Sequence, residues 1–168
     1  MKYILYIILA LFIISCDKKL KKEVEETKPV VTEEVDNTKT SIKALKKKLT
    51  EEGFQIFDYI DEKTGDTVLM QQYFIAFLKR GTKRSQNKAE ADSLQKLHLE
   101  HLGKMYEAGY ADISGPFGDE GDIRGITIYN VPTLKMADSL ANMDPSVKAG
   151  RLTIEIHPWW AAKGFPLR

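Results

Sequence analysis

Two histidines stand three residues apart, His98 and His101, in a stretch whose apolar residues recur at helical spacing. On a wheel of about 100° per residue, Leu94, Leu97, Met105 and Ala108 form one stripe, and both imidazoles fall inside it. An imidazole on such a stripe must find a hydrogen-bond partner or stand at the mouth of a cleft. One reading is a pair of satisfied core histidines. The other is an acid or base at His98, with His101 as its neighbour or a further ligand contact. The second reading needs a carboxylate to orient the ring. Asp144, in Met143-Asp144-Pro145-Ser146, is one candidate and Asp112 is the other. Asp144 also suits plain capping of the turn around Ser146.

Further along, Gly115-Pro116 opens the connection Gly115–Asp122 between two expected strands. Glycine there lets backbone approach a ligand, and proline fixes the turn. Arg124 can pair with the loop acids Asp119, Glu120 and Asp122 or receive an anionic ligand group. The loop acids do not follow an EF-hand spacing. His98-Leu99-Glu100-His101 is H-x-x-H rather than the H-E-x-x-H of zinc proteases. The third histidine, His157, alternates with Thr153 and Glu155 and points away from Leu152, Ile154 and Ile156. No metal site is expected. There is no G-x-S-x-G elbow and no Walker-type phosphate loop, and no cofactor is implied.

The elements that must position these residues follow from patterning. Ile42, Leu45 and Leu49 predict a short helix over 41–52, capped by Ser41 and ended by Gly53. Residues 54–61 alternate as a strand, Gly65 turns the chain, and residues 67–79 form a long strand apolar on both faces and therefore central. A polar loop over 81–86 leads to a helix over 88–108, stopped by Gly109. Strands follow over 110–114 and 123–131. Pro132 is expected to start a helix reaching Met143, and residues 151–157 form the last strand. From residue 67 the order is β-α-β-β-α-β, an α+β fold of the ferredoxin-like split βαβ kind, with an extra N-terminal helix and β-hairpin.

The 168 residues are 43% hydrophobic and 29% charged, with 25 Lys and Arg against 24 Asp and Glu. That composition excludes collagen-like and multi-span membrane chains, and the charge balance gives no reason to expect nucleic acid. The one cysteine excludes an internal disulfide framework. Lys2 precedes an apolar run from Tyr3 to Ile14, too short to span a bilayer and of the length of a signal-peptide core. The run ends Ile13-Ile14-Ser15-Cys16, which resembles a bacterial lipobox. Residues 1–15 are therefore read as a lipoprotein signal peptide and Cys16 as the acylated mature N-terminus. Residues 16–49 are read as a charged tether and 50–168 as the folded domain. The expected location is the cell envelope, lipid-anchored and facing the periplasm.

Together, His98-Leu99, Gly109, Gly115-Pro116, the strand through Gly125, Asp144-Pro145, Gly150 and the closing His157-Pro158-Trp159 resemble the YCII-related domain family, over about residues 73–160. The resemblance implies a dimeric ferredoxin-like α+β barrel and a His–Asp acid/base pair, carried onto His98 and Asp144. It implies a cleft near His98 for a small organic ligand, with lyase, isomerase or dehalogenase-like proton transfer; the Gly115-Pro116 backbone and Arg124 are the residues expected to bind that ligand. The alternative is a non-catalytic dimeric module for binding or assembly.

Overall fold

The computed structural model describes residues 34–165 and Leu167. The stretch read as a signal peptide, and Cys16, lie outside the described residues. In chain order the elements are α1 (Glu34–Glu51), β1 (Ile56–Ile60), β2 (Thr67–Arg80), α2 (Lys88–Glu107), β3 (Ala111–Pro116), β4 (Ile123–Tyr129), α3 (Leu134–Ala141), α4 (Pro145–Lys148) and β5 (Leu152–Ala162). The architecture is α+β, with one antiparallel sheet of five strands. Among the described residues no helix is long and apolar enough to cross a membrane.

The long strand β2 is the spine. It pairs with β1 over Thr67–Gln71, with β4 over Phe74–Lys79 and with β5 over Met70–Arg80, always antiparallel. Because Phe74–Lys79 has two partners at once, β4 and β5 must flank it on opposite edges. β3 pairs with β4, so the strands run β5-β2-β4-β3, with β1 extending the β4 side. β2 is thus an interior strand, with a ladder on each edge along Phe74–Lys79. Phe74, Ala76 and Leu78 point to one face and are buried; Ile75, Phe77 and Lys79 point to the other and are only partly covered.

The core lies on the first face. Phe74 and Ala76 of β2 and Tyr129 of β4 pack against Met105 of α2 and against Ala137 and Ala141 of α3, with Ile154 and Ile156 of β5 alongside. Burying the larger of these, Phe74 and Met105 among them, contributes about 1.5–3 kcal/mol each. α1 associates with the β1 end of the sheet, where Lys46 meets Asp58 at 2.6 Å.

The helices differ from expectation in instructive ways. α1 starts at Glu34 rather than at Ser41, so Ser41 is inside the helix and does not cap it. The added turns, Glu34 to Thr40, are rich in Val, Asp, Asn and Thr, which are weak helix formers, so propensity does not explain them; further along, Lys47–Glu51 and Lys48–Glu52 pair one turn apart. Gly53 ends this helix at φ 82°. α3 is capped by Thr133, whose Oγ1 accepts the Met136 N–H at 3.2 Å, so Pro132 precedes the cap instead of starting the helix. A separate short helix, α4, follows it.

Two strands run further than their patterning suggests. β3 continues through Pro116 and β5 through Pro158 to Ala162. Each pairs on one side only, and an edge strand tolerates proline because the missing N–H can face outward.

Candidate functional site

α2 carries the site. Asn87 caps it, with Oδ1 accepting the Glu90 N–H at 3.0 Å while Glu90 Oε2 accepts the Asn87 N–H at 2.9 Å, a reciprocal capping box. Most of this helix is exposed; His98, His101 and Met105 are its buried residues. The two imidazoles are thus the contact stripe itself, one turn apart, facing α3, α4 and the sheet.

His98 meets a carboxylate. Its Nδ1 lies 2.5 Å from Asp144 Oδ2. The residues are 8% and 2% exposed, so water competes little for this bond. Asp144 is held from its other side: as the N-cap of α4 it accepts the Ser146 N–H on Oδ1 at 2.7 Å. Pro145 follows at the first helical position, where its missing N–H costs nothing. Ser146 Oγ donates to the Leu94 carbonyl of α2 at 3.3 Å, clipping the turn to the helix. Capping and His contact, alternatives in the sequence, are made at once by the two oxygens of one side chain. Asp112 is not the partner: it accepts from Asn130 Nδ2 at 3.2 Å, and Asn130 accepts from the buried Gln71 at 2.6 Å.

An ionised Asp144 only accepts hydrogen bonds, so it holds the hydrogen of His98 on Nδ1 and leaves Nε2 as the basic nitrogen. His98 also lines a cleft of about 400 Å³. Apolar walls come from Leu78, Leu99, Leu102, Ile126 and Leu152; polar groups come from Ser114, Ser146, Gln95 and three arginines. Gly115, Pro116 and Arg124 line it too. The fold therefore brings His98, Asp144, Gly115, Pro116 and Arg124 together, with Asp144 behind the ring.

Arg124 arrives through a β-bulge. Lys79 pairs with Ile123 and Leu78 with Gly125, leaving Arg124 as the extra residue on β4, a device that re-aims a side chain. Its Nη1 donates to the carbonyls of Asp119 and Gly121 at 3.1 and 3.2 Å, and Glu120 stands 3.7 Å away. Loop pairing and the cleft position coexist. Gly115, expected to provide a close backbone approach, has open space where a Cβ would go. The tight position is Gly125 on the paired strand, where a Cβ would lie 2.5 Å from the Gly115 carbonyl oxygen.

His101 lies under the site rather than in the cleft. Its Nε2 is buried without a hydrogen-bond partner, and burial pushes the imidazole below its usual pKa against the pull of the Asp144 carboxylate. Burial, and then Asp144, push the Tyr129 phenol up, so it stays neutral. His157 stands on the far face, paired with Ile75 and 5.8 Å from the Phe77 ring. Among the described residues no group of three or more His, Cys, Asp or Glu could hold a metal ion.

Two cleft residues were not singled out by the sequence: Arg84 and Arg151. Both depend on long-range stitching. Gly81 N–H donates to the Arg151 carbonyl at 3.0 Å and Lys83 N–H to the Gly150 carbonyl at 3.1 Å. The fit is close enough that a Cβ on Gly81 would lie 2.2 Å from the Gly150 oxygen. The local signal was only a basic, polar loop between a strand and a helix.

No family model matches the chain, and no curated protein matches it. Among solved structures it is similar to 5-chloro-2-hydroxyhydroquinone dehydrochlorinase from Burkholderia phenoliruptrix AC1100 in complex with 2,5-dihydroxybenzoquinone. The match has 20% sequence identity, covers 52% of this chain and 92% of that one, and has a TM-score of 0.40.

Proposed function

We propose that the chain binds a small organic ligand in the cleft beside His98 and moves a proton on it. The single observation that carries this reading is the buried His98–Asp144 pair, with Nδ1 taken by the carboxylate and the ring lining the cleft. In the proposed step, His98 Nε2 accepts a proton from an acidic C–H or O–H of the ligand, and the bonding electrons stay on the ligand. The imidazolium that forms is stabilised by Asp144, and the proton returns to another ligand atom or to water. The step needs no cofactor. The strand order β5-β2-β4-β3 with α2 and α3 packed on one face supports a ferredoxin-like, YCII-like domain.

The open face of the sheet supports homodimerisation. Ile75, Phe77, Ile123 and Trp159 form an apolar patch that also holds Lys79, Glu155 and His157. A two-fold dimer sets such a patch against itself, which its balanced charges permit. Acylation at Cys16 and envelope anchoring belong to the same proposal and rest on the sequence alone. The second reading, a non-catalytic binding module, keeps the cleft and removes the proton transfer.

The test is an NMR pH titration of the histidine side chains in the full chain, wild type against Asp144→Asn. There are three histidines in all, so assignment is direct. The expected result is a His98 titration altered by the Asn substitution, with His157 unaffected. A His98 signal indifferent to Asp144→Asn would leave the binding module as the better account.

A further inference from the structure

The cleft has a marked charge asymmetry. Arg84, Arg124 and Arg151 all line it, and none of its lining residues is an aspartate or glutamate. The arginines are steadied by neutral oxygens: Arg84 Nη1 donates to the Arg151 carbonyl at 3.3 Å, and Arg151 Nη1 to Gln86 Oε1 at 3.2 Å. Among the described residues, no carboxylate forms an ion pair with Arg84 or Arg151, whereas Arg124 has the exposed Glu120 at 3.7 Å. The Asp144 carboxylate is occupied by His98 and the Ser146 N–H.

Converging guanidinium groups repel one another unless an anion sits between them. Burial, then Arg151, Arg80 and Arg124, lower the proton affinity of Arg84. The planar fork of donors on each arginine matches a carboxylate. The rest of the lining is different in kind: Leu78, Leu99, Leu102, Ile126 and Leu152 make an apolar wall suited to a hydrocarbon body.

We infer that the ligand is a small organic carboxylate, with its acid group held by Arg84 and Arg151 and its apolar body laid along the leucine wall towards His98. This rests on the proposed function only for the identity of the pocket, since it makes no use of proton transfer. Arg124, tied to the acidic hairpin, then reads the second polar end of the ligand or screens the first.

The test compares benzoate with its neutral analogue benzamide, by calorimetry and by the His98 NMR signals of the full chain. Benzoate should bind saturably and move the His98 signals; benzamide should bind at least about tenfold more weakly, because it lacks the charge. Arg84→Gln with Arg151→Gln should remove most of that preference while leaving the dispersed amide spectrum in place, which reports an intact fold. Benzoate affinity should also fall with added salt. Equal binding of benzoate and benzamide, or a preference that survives loss of both arginines, overturns the inference; so does failure of benzoate to bind at all. Benzoate binding with His98 and Asp144 uncoupled would instead sink the proton-transfer reading and leave this one standing.

Discussion

Two histidine–carboxylate pairs of nearly the same length sit on the two faces of this sheet. His98 and Asp144 are 2.5 Å apart, and His157 and Glu155 are 2.7 Å apart. Their surroundings separate them. The first pair's side chains are 11% and 3% exposed, the second pair's 56% and 50%. Glu155 also faces Lys79 at 3.1 Å, and His157 first and Lys79 second hold its carboxyl below the usual range. In water such pairs are exchanged for hydration at little gain. In the interior neither group can find a substitute partner, so the bond dictates tautomer and ring orientation. Contact distance alone therefore does not identify a working pair; what surrounds it does.

The widest gap between the two pairs should be seen on deletion. Asp144→Ala leaves His98 Nδ1 and the Ser146 N–H without their acceptor and should cost about 3 kcal/mol or more of unfolding free energy. Glu155→Ala should leave the urea midpoint unmoved. Equal losses would break the comparison. A backbone control sharpens it: Gly125→Ala forces a Cβ against the Gly115 carbonyl and should cost about 1–3 kcal/mol, whereas Gly115→Ala enters open space and should cost almost nothing. If Gly125→Ala lowers stability yet leaves the histidine titrations alone, changes seen in Asp144 variants belong to the pair and not to a loosened fold.

The smallest effect concerns pH. Burial lowers the His101 pKa in the folded protein, so the unfolded chain binds the proton more readily. Stability from this residue is complete above its unfolded pKa of about 6.5 and is lost as pH falls towards the lower folded value. His101→Leu removes both the titration and the unpartnered Nε2. Urea midpoints measured on either side of about pH 6.5 should therefore fall less in the variant than in the wild type. An identical acid slope would mean that other groups set the acid limit.

Much of the scaffold was readable because its signals are local. Periodicity marked α2 and put both histidines on its contact stripe. A long run apolar on both faces marked β2 as central, and Gly53, Gly65 and Gly109 adopt the positive φ their turns require. The parts that escaped depend on register and distance. The bulge that places Arg124 exists only relative to β2, and nothing within Arg124's own neighbourhood announces it. Arg84 and Arg151 reach the cleft because residues 81–83 bond to residues 150–151, a pairing that neither stretch signals. Asp144 was ambiguous for a further reason: a capping residue and a histidine partner need the same side chain, and the two demands were not exclusive.

The spine has a consequence for how the protein comes into being. β2 acquires β1 through a tight turn, but its other full-length edge is closed by β5, whose Leu152–Ala162 come almost last in the chain. Asp144 and Arg151 lie just before it, within eight residues. A nascent chain stopped just before Asp144 would hold α2 and its histidines with no carboxylate beneath them and one edge of β2 open to pairing with other chains. Long-range closure of this kind slows folding. Truncation before β5 should therefore yield aggregation-prone material, and a completed site marks a chain made at least through Ala162.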